Sequence, residues 1–400
     1  MRSTIIIPSW NGVDLLPDCL AALAAQQPVP DEILVVDDAS TDDGPSWVAS
    51  HHPDVRCVAN PERKGFVHTA NAGLRAADPA SELVILLNQD TQVQAGWLAA
   101  LIEAARLPAA GIVGSRIEHM DGTLQHAGGA VDDHAFTDDL LHADLPRDSA
   151  PVTCEWVTGA SLAITRAALQ ACGPLDEDFA PGYYEDVEWC ARLRAKGFTV
   201  RYAPRSVVQH HAESRLRNDS ATFMRLYHRN RLQFILKHWS PAALRDDFLP
   251  AEVAWLQSLS RGGERLIAVM NQLYIALLPS YQSLYGPRAE DEGSTHHAAL
   301  YEVVRDLITL CATEIPDRYE KEREIVAQQH AAEQDGATLW AEQLADELSN
   351  RKAETRGLQQ SLAEKQTLIE QYESGRFISA MRTVSKLRRA LPRSGKKADG

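Results

Sequence analysis

The sequence predicts an α/β protein built on a mostly parallel central sheet with helices on both faces. Short apolar runs such as Ile33–Val36 and Leu83–Leu87 are typical of buried strands, and amphipathic helical stretches alternate with them. Polar or aromatic side chains follow several of these strands directly. Because ligands bind outside the carboxyl ends of the strands in open α/β sheets, we expect a binding site at that edge.

The elements alternate regularly at the start of the chain. Strands are predicted where apolar runs are bounded by turn residues, and helices where apolar side chains recur every three to four positions. The predicted order is strand Thr4–Ile7, helix Val13–Gln26, strand Ile33–Val36, helix Gly44–His51, strand Val55–Val58, helix Val67–Ala77, strand Leu83–Leu87, helix Ala95–Arg106 and strand Gly111–Gly114.

The following part of the chain is less regular. The segment Ile117–Pro151 is rich in His, Asp and Gly and predicts a long functional loop or irregular hairpins. Beyond it we expect a strand at Ser161–Ile164 that runs into a helix, a second helix at Glu185–Lys196, and two strands with the sequences TVRYAP and SVVQHH. After about Leu236 the α/β alternation is lost.

The remainder of the 400 residues predicts helices. We expect an α/β domain at 1–240, a helical extension at 241–316, a long helix at 317–375 and a basic amphipathic tail at 376–400. Leucines in the long helix fit an interrupted heptad register, so it is either a weak coiled coil or a solvated single helix. The tail suits an interfacial helix on anionic lipid; the alternatives are a solvated tail or a partner-binding helix.

The composition limits which classes of partner the protein can bind and which cellular compartment it suits. The net charge of −15 argues against binding to nucleic acid. The six cysteines form no CxxC pairs and several lie in apolar segments, which indicates small buried side chains in a reducing compartment. No apolar run reaches the roughly 20 residues that span a bilayer. We expect a cytoplasmic protein that contacts the inner face of the membrane at most peripherally.

The first turn after a strand, PSWNG, argues against two common nucleotide folds. It holds a single glycine, Gly12, and therefore lacks both the G-x-G-x-x-G pattern and a Walker loop. Trp10 can instead offer a ring face to a base, and Asp38 can accept a hydrogen bond from a base imide N–H. The alternative interpretation is a packed tryptophan and a turn aspartate.

Asp90 follows a buried strand in the sequence Asn88-Gln89-Asp90. It is either a turn residue or a ligand for Mg²⁺ or Mn²⁺ that faces a diphosphate. His210 and His211 end a predicted strand, and one of them can add an imidazole to the same ion; the spacing does not decide which.

Two adjacent carboxylates, Glu185 and Asp186, open a predicted helix after two tyrosines. Helix N-termini favour acidic residues through the helix dipole, which is the structural alternative. The functional interpretation is a general base that deprotonates an acceptor hydroxyl. Because neighbouring positions on a helix point in different directions, we expect the two residues to have different roles.

Together these motifs resemble the family 2 glycosyltransferases of GT-A fold, and more narrowly their bacterial rhamnosyltransferase-like branch. The resemblance runs from about Ser3 to Arg217. It rests on eight segments in order: IIIPSWNG, EILVVDDASTD, NPERKGFVHTANAG, LLNQDTQVQAGWL, GTLQHAGG, WVTGASLAITRAAL, GPLDEDFAPGYYEDVEWCARLRAKGF and VVQHH.

The resemblance implies roles for individual positions. Asp186 matches the catalytic base and Glu185 its supporting acid, while Asp90 and His210 match the ligands of a divalent cation, Mg²⁺ or Mn²⁺. Asn88 stands where the family's acidic motif often has Asp, so the metal would depend on Asp90, His210 and the diphosphate itself. The implied nucleotide-binding residues are Pro8, Trp10, Asn11, Asp38, Gly65, Asn71, Asn88 and Gln89, and the implied acceptor residues are Trp156, Thr158, Gly159 and Tyr184.

The implied function is inverting transfer of a sugar from a dTDP-rhamnose-like or UDP-sugar donor to a hydroxyl of a glycan or lipid-linked glycan. The setting is bacterial surface polysaccharide, such as O-antigen. One alternative is a catalytically silent scaffold whose coiled coil binds a second copy or a partner enzyme; the intact Asp90, Asp186 and His210 argue against it. Another is a sugar nucleotidyltransferase, which needs a glycine-rich phosphate loop that PSWNG lacks. The sequence does not identify the donor sugar, the nucleotide base or the acceptor linkage.

Overall fold

The computed structural model describes residues 1–211, 220–259, 266, 269–274, 306–307, 309–310 and 365. The chain divides into two units, Met1–Trp239 and Ser240–Gly400. Apart from Lys365, the long helix predicted at 317–375 and the basic tail at 376–400 lie outside the described residues, so association and membrane contact through them stay predictions of the sequence. Within the described part of the chain, no helix combines the length and hydropathy of a membrane-spanning segment.

The strands and helices of the first unit alternate as predicted at its start. Its strands are β1 Ser3–Ser9, β2 Glu32–Asp37, β3 Arg56–Ala59, β4 Leu83–Leu87, β5 Thr91–Val93, β6 Ala110–His119, β7 Leu124–His126, β8 Ala130–Val131, β9 Thr137–Asp138, β10 Val152–Cys154, β11 Ser161–Thr165 and β12 Thr199–His210. Its helices are α1 Leu16–Ala24, α2 Gly44–His51, α3 Phe66–Ala76, α4 Trp97–Ala105, α5 Arg166–Cys172, α6 Glu185–Ala195 and α7 Ser220–His238, with a 3₁₀ turn at Glu177–Phe179.

In the second unit the described residues include helix α8 Pro241–Ala243, a π-helical turn at Leu244–Phe248 and helix α9 Leu249–Ser258. Within this unit the Tyr274 hydroxyl donates to Glu252 Oε1 at 2.6 Å, and both residues are buried. The helical character expected after residue 240 therefore holds for the stretch that the structure describes.

The sheet has ten strands, and its main path runs β10-β12-β6-β11-β4-β1-β2-β3. Strand β1 pairs in parallel with β2 and β4, β2 pairs in parallel with β3, and β12 pairs in parallel with β6. The α/β class with a parallel sheet is thus confirmed for the N-terminal half. Strand β11 runs antiparallel between β4 and β6, which makes the whole sheet mixed.

Two details of the strand prediction were wrong. The segments TVRYAP and SVVQHH form one strand, β12, and not two. Its register against β6 shifts between Ala203 and Val207, where Pro204 has no N–H to donate to the ladder, so the sequence pattern breaks while the strand continues. The predicted strand at Gly111–Gly114 extends to His119. The short pairs β6–β7 and β8–β9 that follow are irregular hairpins, one of the two alternatives expected for this segment.

Helices pack on both faces of the sheet and position the chain next to the carboxyl ends of its strands. Ile5, Ile7 and Ile85 pack against α1 and α4 on one face of the sheet. On the other face α3 approaches β1 closely: a Cβ atom at Gly73 would lie 2.3 Å from Cγ2 of Ile6. Because α3 starts at Phe66, this close packing sets its N-terminus beside the ends of β1 and β2.

Candidate active site

A cavity of about 810 Å³ opens at the carboxyl edge of the sheet. Its lining includes Pro8–Asn11 after β1, Asp38 after β2 and Asn88–Asp90 after β4, which is the edge where the sequence predicted a site. Trp156, the residues 158–160 and the residues 181–187 line it as well. A cavity of this size is typical of a small-molecule site.

Gln89 holds the turn that carries Trp10. Its Oε1 accepts from the Ser9 hydroxyl at 2.7 Å and from the Trp10 backbone N–H at 3.1 Å, and its Nε2 donates to the Trp10 carbonyl at 3.1 Å. A Cβ at Gly12 would lie 2.1 Å from Gln89 Oε1, so only glycine leaves room for this amide. In the structure the Gln89 side chain positions Trp10.

Asp38 organises the turn that follows β3. It is 4% exposed, and its carboxylate accepts from Asn60 Nδ2 at 3.0 Å, from the Lys64 N–H at 2.9 Å and from the Gly65 N–H at 2.8 Å. Gly65 has a φ of +86°, a conformation that favours glycine. A carboxylate has about four acceptor positions, so one remains for a ligand.

The remaining residues expected at the nucleotide lie in two environments. Pro8, Asn11 and Asn88 line the cavity, and Asn11 Oδ1 accepts from the Thr41 N–H at 2.8 Å. Asn71 is fully buried outside the lining: its Nδ2 donates to the Leu175 carbonyl at 2.9 Å and its Oδ1 accepts from the Leu175 N–H at 3.0 Å. The structure therefore does not bring Asn71 to the cavity.

Asp90 and His210 are adjacent although 120 positions separate them. His210 pairs with Thr91 where β12 meets β5, and this register sets His210 Nε2 at 3.1 Å from Asp90 Oδ1. His210 Nδ1 lies 3.0 Å from Gln125 Oε1, an acceptor that keeps a proton on Nδ1. His211 is exposed, so His210 is the imidazole that lies beside Asp90.

The chemistry of this pair fits a hard divalent cation. Burial alone would raise the pKa of Asp90, but the hydrogen bond and charge of His210 outweigh it and lower the pKa, which keeps the carboxylate ionised. In the described part of the chain no cluster of three or more His, Cys, Asp or Glu side chains could hold a metal. One carboxylate and one imidazole suit Mg²⁺ or Mn²⁺ only if water and substrate phosphates complete the shell.

Asp186 lies in the cavity wall at the start of α6, held by two backbone donors. Its Oδ2 accepts from the Gly159 N–H at 2.9 Å and its Oδ1 from the Val187 N–H at 2.9 Å. Burial raises the pKa of Asp186, and these two donors oppose the rise. Tyr183 and Tyr184 just before it have φ of 75° and 66°, an uncommon conformation for such side chains.

Glu185 is 6% exposed, and its Oε2 has no hydrogen-bond partner among the described residues. Burial, and after it the neighbouring charge of Asp186, raise the pKa of Glu185 well above its usual range. When two close carboxyl groups have their pKa values pushed apart, one is neutral while the other carries the charge. The environment favours charge on Asp186, which has backbone donors, and a neutral Glu185.

The residues expected to bind an acceptor line the same cavity as Asp186. Gly159 supplies the N–H to its carboxylate, and the Thr158 N–H donates to His126 Nε2 at 3.4 Å. Trp156 is 5% exposed and its Nε1 donates to the Ala130 carbonyl at 3.2 Å. Tyr184 also lines the cavity, although its side chain is only 3% exposed and its hydroxyl donates to the Ala135 carbonyl.

Comparison with known proteins shows a similarity to one family in the first part of the chain. Residues 4–130 match the family described as Glycosyl transferase family 2. An N-acetylglucosaminyl-diphospho-decaprenol L-rhamnosyltransferase of Mycobacterium tuberculosis is 28% identical over 253 residues, which cover 56% of this chain and 81% of the relative. The O-antigen biosynthesis protein RfbC of Myxococcus xanthus is 29% identical over 232 residues, which cover 55% of this chain and 18% of RfbC. Residues 4–130 thus carry the similarity to glycosyltransferase family 2, and these two relatives place the similarity in its rhamnosyltransferase-like branch.

Other similarities extend over more of the chain than the family 2 match. The protein y4gI of Sinorhizobium fredii is 25% identical over 281 residues, 63% of this chain but 30% of that relative. The chain thus spans less than a third of y4gI and RfbC. A mannosyltransferase from Pyrobaculum calidifontis, solved with GDP-Man and Mn²⁺, superposes with a TM-score of 0.47 at 21% identity, covering 76% of this chain and 85% of that one. The family match and the observed sheet confirm the GT-A fold.

Several residues that line the cavity had no individual role in the sequence prediction. Arg63 and Lys64 line the cavity, and the Arg63 guanidinium lies 3.5 Å from the ring centroid of Trp10, a cation–π contact. The adjacent basic residues in NPERKG were a usable signal for this. Gln125 and His126, in the motif GTLQHAGG, also line the cavity, although the sequence assigned them no role.

Replacing Glu185 with glutamine is expected to stabilise the protein at pH 8 relative to wild type. Because the folded-state pKa of Glu185 is raised, its stabilising contribution is complete below the unfolded value of about 4.3 and is lost as pH rises through the folded value. Each tenfold difference in proton affinity changes the free energy of unfolding by about 1.4 kcal/mol. Urea denaturation of both proteins at pH 5 and pH 8 measures the change.

Glu188→Gln is the matched control, because Glu188 is a buried carboxylate on the same helix whose pKa moves the other way. Burial tends to raise the pKa of Glu188, but hydrogen bonds from His238 and Arg192 lower it. Its contribution is present above the unfolded pKa and is lost as pH falls through the folded pKa. This variant should therefore lose stability at pH 8. If both substitutions changed the free energy of unfolding at pH 8 in the same direction, the interpretation of Glu185 would be contradicted.

Proposed function

We propose that this chain is an inverting glycosyltransferase that moves a sugar from a nucleotide-diphosphate sugar to a hydroxyl of a glycan or lipid-linked glycan. One observation carries the proposal: the cavity is lined by Trp10, by the basic turn 63–64, by Asp90 and by Asp186. These groups suit, in that order, a base, a diphosphate, its counter-ion and an attacking hydroxyl. His210 lies next to Asp90, with Nε2 at 3.1 Å from Asp90 Oδ1.

The base and diphosphate end is supported by charge and shape. Trp10 brings an aromatic ring to the lining, with the Arg63 guanidinium against it, and the acceptor position left on Asp38 suits a pyrimidine imide N–H. Arg63 and Lys64 bring positive charge to a cavity that otherwise carries several carboxylates. Asp90 and His210 are the residues that would hold Mg²⁺ or Mn²⁺, and such an ion, when bound, neutralises charge on a diphosphate leaving group.

In the proposed chemistry Asp186 removes the proton from the acceptor hydroxyl. The oxygen attacks the anomeric carbon on the face opposite the diphosphate, the bond to the diphosphate breaks, and the anomeric configuration inverts. The N–H groups of Gly159 and Val187 fix the Asp186 carboxylate in place. The raised pKa of Glu185 leaves the negative charge on Asp186.

The relatives support a choice of substrates. The M. tuberculosis protein is named for transfer of L-rhamnose to N-acetylglucosaminyl-diphospho-decaprenol, and RfbC for O-antigen biosynthesis. We therefore propose a dTDP-rhamnose-like or UDP-sugar donor and an acceptor in polysaccharide or glycolipid synthesis.

The test is a two-step screen of the full chain. Thermal shift is first measured with UDP, dTDP and GDP, with and without Mn²⁺ or Mg²⁺, and then release of the nucleotide diphosphate from the corresponding sugars is followed. We expect a pyrimidine diphosphate to raise the melting temperature in a metal-dependent way and at least one donor to be turned over. Silence across all donors would reject the transferase and favour a scaffold.

A further inference from the structure

Helix α7 brings two aromatic side chains into the cavity from beyond the segment that resembles the family. Phe223 and Tyr227 are one helical turn apart and both line the cavity, as does Tyr183. The Tyr183 and Phe223 ring centroids are 5.1 Å apart and nearly perpendicular, and those of Phe223 and Tyr227 are 5.7 Å apart. We call Tyr183, Phe223 and Tyr227 the aromatic wall.

The aromatic wall is tied to the segment that leads to Asp186. Asn230, fully buried on α7, donates from Nδ2 to the carbonyls of Phe179, Gly182 and Tyr183 at 2.9, 3.0 and 2.7 Å. The Tyr227 hydroxyl lies 3.2 Å from that of Tyr184. The wall is therefore preorganised relative to the candidate base, because one buried amide joins the helix to three carbonyls of the same loop.

The chemistry near the wall is that of a carbohydrate site. A pyranose has faces of C–H groups, which pack on aromatic rings, and a rim of hydroxyls, which need polar partners. The same cavity presents Thr137 and the half-exposed carboxylate of Asp139, both suited to hydroxyls. A polyprenyl chain packed here would replace water around this carboxylate with hydrocarbon at a cost in free energy, so the surroundings favour a sugar ring.

We propose that the aromatic wall is the subsite for a pyranose ring of the acceptor, packed face-on against Phe223 and Tyr227 with its hydroxyl directed to Asp186. The inference rests on the proposed transferase function and adds the chemical class of the acceptor group. Trp10 and the 63–64 turn serve the nucleotide, so the two halves of the cavity bind separate substrates. This separation makes the wall testable without knowledge of the complete acceptor.

The experiment is saturation-transfer difference NMR on the full chain with methyl glycosides of glucose, N-acetylglucosamine, galactose and rhamnose, each recorded with and without dTDP or UDP. We expect signals on the ring C–H protons of at least one glycoside. Loss of one aromatic contact is worth about two- to tenfold in affinity. Phe223→Ala should weaken glycoside binding by that factor. Phe223→Leu keeps most of the apolar volume, so its glycoside signal should lie between those of the wild type and Phe223→Ala.

Two controls separate this inference from the proposed function. Trp10→Ala should lose the thermal shift with dTDP or UDP yet keep the glycoside signal. Phe223→Ala should keep the thermal shift with dTDP or UDP and show the weakened glycoside signal. If no nucleotide shifts the wild-type melting temperature, the transferase is rejected whatever the sugars do. If nucleotides bind but no glycoside signal depends on Phe223, or if farnesyl phosphate binds there instead, the pyranose subsite is overturned.

Discussion

Replacing Asp186 with asparagine is expected to lower the rate of sugar transfer by about two to four orders of magnitude, the usual contribution of a general base. Asparagine has nearly the same shape and can still accept from the Gly159 N–H, but it cannot take up a proton. The nucleotide half of the cavity is untouched, so donor affinity should stay within a factor of about two. Steady-state transfer and nucleotide titration on the same preparations measure both quantities.

The pH profile gives this prediction a second readout. Burial raises the pKa of Asp186, so the wild-type rate should fall as pH drops through that raised value, because the protonated group no longer accepts the hydroxyl proton. The residual rate of Asp186→Asn should lack this acid limb. Glu188→Gln, on the same helix but outside the cavity lining, should keep it. Near-normal turnover by Asp186→Asn would remove Asp186 from the mechanism.

Removing Asp90 is expected to have the second large effect. Asp90→Ala takes away the carboxylate that faces His210, and the proposed ion then keeps one protein ligand. We expect transfer to fall by about 100-fold or more and the metal-dependent part of the dTDP or UDP thermal shift to disappear, since the diphosphate charge loses its counter-ion. His210→Ala should produce the same loss of metal dependence with a smaller effect on the rate.

His211→Ala is the control for these variants, because His211 is the exposed neighbour of His210 and its backbone N–H, which bonds to the Asp90 carbonyl, survives the change. Its transfer rate and metal dependence should match the wild type. A metal-dependent thermal shift that persists in Asp90→Ala would show that the ion is bound by other groups, and the proposed cation site would then have to be abandoned.

The fold and one edge of the site were readable from local patterns. The runs at β1, β2 and β4 are continuous and apolar because these strands are buried on both faces, and that pattern needs no knowledge of the rest of the molecule. Polar residues such as Asp38 and Asp90 come directly after these strands, and the strand direction alone places them at the carboxyl edge of the sheet. Asn71 was placed at the nucleotide by resemblance, whereas its amide is engaged by the Leu175 backbone, a partner more than 100 residues away.

The sequence by itself determined the α/β class, the edge of the sheet where ligands would bind and the residue types gathered there, because strand burial and strand direction are local properties of the chain. Only the tertiary structure decided that β11 lies between β4 and β6, that His210 and not His211 meets Asp90, and that α7 returns with Phe223 and Tyr227 to the same cavity. These are contacts between distant segments, set by β-sheet register and by buried amides such as Asn230, and no periodicity in the sequence records them.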